Sequence, residues 1–379
     1  MTLNIQTTFN NIEESGVSKE TPLSSIRISK RSVDEAGNAI RKYILLKGLS
    51  SANTDSEEER YKAALTTLKT YRELLSPSLK LLEALLEEKL KRLDLFEDSI
   101  VSSRTKRLTS ITNKLQKRKS MRLSQMDDIV GIRVTLPDIQ SVNKFINDES
   151  DCEIFNCEQI SNNFSVNDYL SKPKDDGYRG VHRVFKCKSG SSFEINLELQ
   201  IRSKIQHEWA TVVEILSIVD KVSYKAGKGD KKTLEFLKLT SVLFSIAEDA
   251  PVAPSYENLS LSDLCDNLQA LDDELQIIKK LTEVNSILSS CKNYDSNYYL
   301  IQLDIKRRET IVHQLDDEKE TNDKYTLLER QYRHSDRYNV VLVSIDDCKK
   351  IEDAYPNYFL NPNDFIKRFT ELMKFYCNA

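Results

Sequence analysis

The chain has 379 residues, 39% of them hydrophobic and 30% charged, and a net charge of −4. Those proportions describe an ordinary globular protein of about two or three domains with apolar mass for a real core, and the mild acidity excludes a globally basic nucleic-acid binder, so any anion site must be a local patch. No apolar run approaches the roughly 18 residues a membrane span needs, and the opening MTLNIQTTFNNIEESG has neither a basic start nor an apolar core, which points to a cytoplasmic, non-secreted protein with no membrane partner.

Residues 1–28 read as a polar, flexible arm. A helix is expected from Ser29 to about Lys47, with Gly48 placed to end it. Asp55, Ser56, Glu57 and Glu58 open an amphipathic run to Ser76, where Pro77 is expected to interrupt. A second helix, Ser78 to about Asp94, carries leucines at 79, 81, 82, 85, 86 and 90. Residues 29–99 therefore form a helical region, expected as a hairpin.

Residues 100–222 have a different texture, a mixed α/β one. DDIVGIRVTL (127–136) is a short β-branched run that suits a central strand, and PDIQSVNKFIND suits a helix. GVHRVFKCKSG and SSFEINLELQIRS read as two strands joined at Ser189-Gly190, and SKIQHEWATVVEILSIV returns to helix. Residues 223–290 are expected to be a helical connection, with a proline loop at 251–254 and a helix near 262–290. Residues 291–379 read as a small α+β unit. YYLIQLDI and ETIVHQL suggest a hairpin, EKETNDKYTLLERQYR a helix, YNVVLVSI a strand and the remainder two helices, with no chemical motif among them. The overall class is α+β. Seven cysteines without a CxxC pair read as reduced thiols, and four dispersed histidines are too few for a His-Asp metallohydrolase.

The chemistry-bearing residues cluster in three places. In KPKDDGYRGVHRVF (172–185), Asp175-Asp176-Gly177 reads as a turn, and the loop presents Lys174, Tyr178 and His182 together: a cation, a planar ring and an imidazole, as a nucleotide requires. In SSFEINLELQIRS, Phe193, Ile195, Leu197, Leu199 and Ile201 face one way and Glu194, Asn196, Glu198, Gln200 and Arg202 the other. Taken alone, that polar row is explained as solvent-facing. Arg133 is a full charge in an otherwise apolar strand, which calls for a buried partner or a ligand, while Gly131 allows a close approach. Between Arg104 and Arg122 stand eight Lys or Arg and no acid. Ser110 and Lys114 share a helical face with Arg104 and Lys106 just before its start, an arrangement that suits a polyphosphate; Lys117 to Lys119 read as a solvated surface. Asp128 and Glu198, on separate strands, suit a magnesium ion completed by phosphate oxygens and water. No P-loop or protein-kinase motif is present.

RTKRLTSITNKL, MDDIVGIRV, DYLSKPKDDGYRGVHRVF and ELQIRSKIQHEWA, in that order, resemble the synthetase domain of the RelA/SpoT alarmone synthetases over about residues 85 to 220. The resemblance implies a nucleotidyltransferase-like mixed sheet and transfer of pyrophosphate from ATP to the 3′-hydroxyl of GDP or GTP, without hydrolase activity. It implies that Arg104 and Arg133 flank the adenine, that Lys106 and Lys114 meet the ATP phosphates, and that Asp128 binds Mg2+. By the same resemblance Glu198 shares the metal and serves as general base, Tyr178 stacks on guanine, and Lys174 and His182 hold the acceptor, with Ser110, Gln200 and Arg202 in support. Two departures bear on the acceptor. Asp176 stands where the family usually has asparagine and Gly180 where it has serine; an aspartate accepts from guanine N–H groups but cannot donate to O6. Two alternatives accompany this reading: a toxic member modifying the 3′ end of tRNA, and a nucleotide-binding regulator without turnover. A homo-oligomer or a regulatory protein partner is left open.

Overall fold

The computed structural model describes residues 28–48, 55–148, 155, 160–161, 164–188, 193–284, 287–288, 298–315, 317–332, 335, 337–344, 351–359 and 361–377. The expected arm up to residue 27, the Ser189-Gly190 turn, His334, and Cys152, Cys157, Cys291 and Cys348 lie outside them.

The N-terminal region is two helices, α1 (Lys30–Gly48) and α2 (Asp55–Arg92). Pro77 does not interrupt α2. Its ring lies on the exposed side, and Leu74, Leu75, Leu81, Leu82, Leu85 and Leu86 are buried on both sides of it. Proline costs the helix one N–H and crowds one carbonyl, and burial of the leucine stripe outweighs that.

The mixed unit follows as β1 (Ile100–Thr105), α3 (Leu108–Lys117), β2 (Val130–Leu136), α4 (Ile139–Ile146), β3 (Ser165–Asp168), β4 (Val181–Cys187), β5 (Ile195–Ser203) and α5 (Lys204–Val219). Asp138 caps α4 by accepting from Ser141 N, and Ser203 caps α5 by accepting from Gln206 N. Three helices follow: α6 (Lys231–Ala247), α7 (Leu261–Leu275) and α8 (Ile277–Thr282). The helix expected to reach 290 stops earlier, because Gln276 adopts left-handed backbone (φ 52°) between α7 and α8. Ile287–Leu288 then form β6. The tail continues as β7 (Tyr298–Asp304), β8 (Glu309–Leu315), α9 (Glu318–Tyr332), β9 (Tyr338–Ser344), α10 (Ile351–Ala354) and α11 (Asn363–Cys377).

Among the described residues the strands form one nine-stranded mixed sheet, ordered β3-β4-β5-β2-β1-β9-β7-β8-β6. The fold is α+β. The tail joins the preceding unit through β1 and β9, which pair at Ser103 with Ser344 and at Arg104 with Val343. One core cluster packs α1 and α2 against the apolar face of β2, β4 and β5. A second gathers α5, α6, α7, α8 and α11. A third joins Ile100 to β7, β9 and residues 354–359.

One expectation about cysteine is corrected. Cys265 in α7 and Cys377 in α11 are bonded, with Cα atoms 5.4 Å apart across 112 positions of sequence. Spacing along the chain carries no signal of this pairing; docking of the two helices creates it. Cys187 is buried.

Candidate active site

Strand register builds the site. Because β2 lies antiparallel to β1 and parallel to β5, Arg104, Gly131 and Glu198 stand in one row across three strands. Ser102, Arg133, Gln200 and His182 stand in the next, extending onto β4. Side chains of paired residues share a face. The opposite face carries Ile132, Leu197 and Leu199, fully buried under α1 and α2. One face is therefore core and the other is chemistry.

A cleft on that second face is lined by Ser102, Arg104, Lys106, Asp128, Gly131, Arg133, Glu198, Gln200 and Tyr355. A Cβ on Gly131 would sit 3.1 Å from the Glu198 carbonyl oxygen, so a larger residue would crowd the Glu198 backbone. At one wall, Asp128 accepts from Lys106 Nζ at 2.5 Å and from Lys114 Nζ at 2.9 Å. Burial pushes the Asp128 pKa up, but the two ammonium groups outweigh it and hold the carboxyl far below its ordinary range. Burial in turn lowers Lys106 in spite of Asp128. Asp127 accepts from Asn196 Nδ2 at 2.8 Å. Ser110 is half-buried on α3.

At the other wall five side chains close a ring. Glu198 accepts from His182 Nδ1 at 3.0 Å and from Gln200 Nε2 at 2.6 Å. His182 Nε2 lies 2.5 Å from the Tyr178 hydroxyl, which accepts from Arg202 at 2.9 Å; Arg202 also donates to Gln200 Oε1 at 3.0 Å. Burial would raise Glu198, but the His182 and Gln200 contacts bring its pKa down to about 2. Lys174 Nζ sits over the rings of Tyr169 (4.0 Å) and Tyr178 (5.0 Å). The sequence expectations thus converge: Lys174, Tyr178, His182, Glu198, Gln200 and Arg202 form one continuous cluster. Asp176 is exposed and accepts from Tyr178 N at 3.0 Å in a local turn.

The polar row of β5 is not simply solvent-facing, since Arg202 is buried and Glu198 and Gln200 line the cleft. Arg133 is also buried; burial first, then Arg202 and Arg104, pull its pKa down to about 9. It donates to the Ala354 carbonyl at 3.3 Å, and the charge of Glu214 acts in the opposite sense to those two arginines.

Sequence reasoning missed the tail's share of this site. Tyr355 lines the cleft and donates to the Ser103 carbonyl at 2.5 Å. Asn357 donates to Glu214 at 2.8 Å, and His207 Nε2 lies 3.0 Å from the Asp353 carbonyl. From α9, Glu329 accepts from the Leu108 backbone N–H at the start of α3 (2.7 Å) and from Arg72 (2.8 Å). No motif in the tail signals these contacts; only the β1–β9 pairing brings them together. Among the described residues no group of three or more His, Cys, Asp or Glu is arranged to hold a metal, and no helix is long and apolar enough to cross a membrane.

Residues 103–229 match the family described as the region found in RelA/SpoT proteins. GTP pyrophosphokinase YwaC of Bacillus subtilis is 28% identical over 144 residues, which are 35% of this chain and 61% of that protein, so the match spans less than two thirds of the relative. Among solved structures, small alarmone synthetase 1 of Bacillus subtilis bound to pppGpp is similar at 22% identity and a TM-score of 0.37, over 48% of this chain and 94% of that one. A GTP pyrophosphokinase family protein of Streptococcus pneumoniae is similar at 22% identity and a TM-score of 0.36, over 47% and 89%.

Proposed function

On the premise that residues 103–229 are a RelA/SpoT region, we propose that the chain transfers pyrophosphate from ATP to the 3′-hydroxyl of GDP or GTP. The observation that supports it is that two ionised carboxylates, Asp128 and Glu198, line one cleft together with Arg104, Lys106 and Arg133. The acceptor's 3′-oxygen bonds to the β-phosphorus of ATP, the bond from that phosphorus to the α,β-bridging oxygen breaks, and AMP leaves with the electron pair. The hydroxyl proton passes to Glu198.

A carboxylate with a pKa near 2 is a poor base at neutral pH. His182 and Gln200 hold it there. An acceptor that draws His182 onto its own phosphates or ribose removes one of those donors and lifts Glu198 toward a useful range. Lys106 and Lys114, which neutralise Asp128 in this structure, are equally suited to ATP phosphates. The donor set fits Mg2+: Asp128 and Glu198 would hold it as hard oxygen ligands beside phosphate oxygens and water. When bound it would neutralise charge on the transferring group. Binding of adenine beside Arg133 requires Tyr355 and the Ala354 carbonyl to yield that space.

A second reading has one observation in its favour. Lys117, Arg118 and Lys119 are exposed and line an open groove with Met121 and Gln125. Such a groove suits a polyanion, and in this reading the acceptor is the 3′ end of tRNA. Incubation with ATP labelled in its β-phosphate and GDP, GTP or deacylated tRNA discriminates the acceptors. Label in GDP or GTP is the expected result, and label only in tRNA replaces the first reading with the second. Glu198→Gln is expected to lower transfer by about a hundredfold or more while nucleotide binding persists; full turnover in that variant would refute the assignment.

A further inference from the structure

The loop carrying Tyr178 rests on residues that lie beyond the region 103–229. Arg179, next to Tyr178, is 3% exposed and donates to Glu248 at 2.6 Å. Glu248 caps the C-terminal end of α6 and is also buried. The same carboxylate accepts from Ser203 Oγ and from Gln206 Nε2 (3.2 Å) at the junction of β5 with α5. Ser241 of α6 donates to the Gly177 carbonyl at 2.6 Å. Gly177 has φ +90°, and a Cβ there would lie 2.8 Å from the Trp209 ring, so the loop backbone is pressed flat onto α5 and α6.

We propose that Glu248 and Ser241 are positioning residues for the acceptor nucleotide, α6 being the platform that sets where Tyr178 and Arg202 meet. The inference rests on the proposed reaction and deepens it. Glu248 touches neither nucleotide in that reading. It clamps Arg179, one residue after Tyr178, and Ser203, one residue after Arg202, to a single carboxylate. Loosening it lets the Tyr178 hydroxyl and the Arg202 guanidinium drift apart, and displacement on the ångström scale is enough to cost large factors in an aligned site.

The test uses the full chain. Glu248→Gln leaves a buried guanidinium without its counter-charge, so it is paired with the charge-free double replacement Arg179→Met with Glu248→Leu, which keeps volume and removes the ion pair. Ser241→Ala removes the loop contact alone. The expected result is a rise of about ten- to a hundredfold in the KM for GDP or GTP, with the KM for ATP within about twofold and the melting temperature of the double variant retained. A folded double variant with the parental acceptor KM overturns the proposal. Trp209 is the only tryptophan in the chain, is buried and lies against Gly177, so its quenching by acrylamide reports loop seating without turnover. Quenching is expected to rise in all three variants; unchanged quenching also overturns the proposal. Absence of transfer in the parental chain sinks the reaction instead, and the quenching result still decides the platform.

Discussion

Each member of the ring Glu198, His182, Tyr178, Arg202 and Gln200 is held by two others, so removal of one leaves two groups partly unsatisfied in a half-buried site. Tyr178 has a further task, presenting its ring beside Lys174. Tyr178→Ala is expected to raise the acceptor KM by a factor corresponding to about 1–3 kcal/mol of lost stacking, with little change in the KM for ATP. Steady-state kinetics with each substrate varied in turn checks this, and equal effects on both would count against stacking. Much of the ring was legible in the sequence: strict alternation placed Glu198, Gln200 and Arg202 on one face, and a turn at Asp175 to Gly177 placed Tyr178 at a loop. Tyr355, Glu329 and Glu248 were not legible. They reach the site or its supports from more than 40 positions away, across contacts that no local pattern encodes.

Among the elements, α2 is the most instructive. Pro77 signalled a break, yet the helix runs unbroken from Asp55 to Arg92 because its leucine stripe continues on both sides. The penalty is still present in the folded state. Pro77→Ala is therefore expected to stabilise the protein by up to about 3 kcal/mol, read as a higher urea midpoint at unchanged slope. A lower midpoint would show that the proline is required where it stands. The strands β2, β4, β5, β7, β8 and β9 follow runs that period and composition marked in advance. β3 has no such run, being four exposed residues held by pairing with β4. β1 was not read in advance: only its end, from Arg104, fell within the basic segment, where Arg104 was placed just before a helix.

At the scale of the whole molecule, acid should loosen the junction between the tail and the earlier strands. His207 is buried, and burial together with Arg133 and Arg202 holds its pKa down at about 3. An unfolded histidine titrates near 6.5, so below that pH the unfolded chain takes a proton that the folded chain refuses. Stability contributed by His207 is thus lost as pH falls from about 6.5 toward 3, at up to about 1.4 kcal/mol per pH unit. Glu198 and Glu214, each held near 2, act in the same direction from about pH 4.5 downward. Urea midpoints between pH 7.5 and 5 are expected to fall in the parental chain and to fall less in His207→Gln; parallel curves would remove His207 as the cause. Reduction of the Cys265–Cys377 bond, which closes a loop of more than a hundred residues, is expected to cost about 2–4 kcal/mol, visible as a drop in melting temperature on adding a dithiol.

The pairing of β1 with β9 gives the strand that bears Arg104 a neighbour on each side. A shortened chain stopping after α8 would bare one flank of that strand, leaving carbonyl and amide groups open to whatever extended peptide comes by, and would strip the cover from Ile100. Such a fragment would polymerise sooner than it would work as a miniature of the parent. Exchange of the Ser103 amide with deuterium, slow in the intact chain and fast in the fragment, is how that difference would be seen.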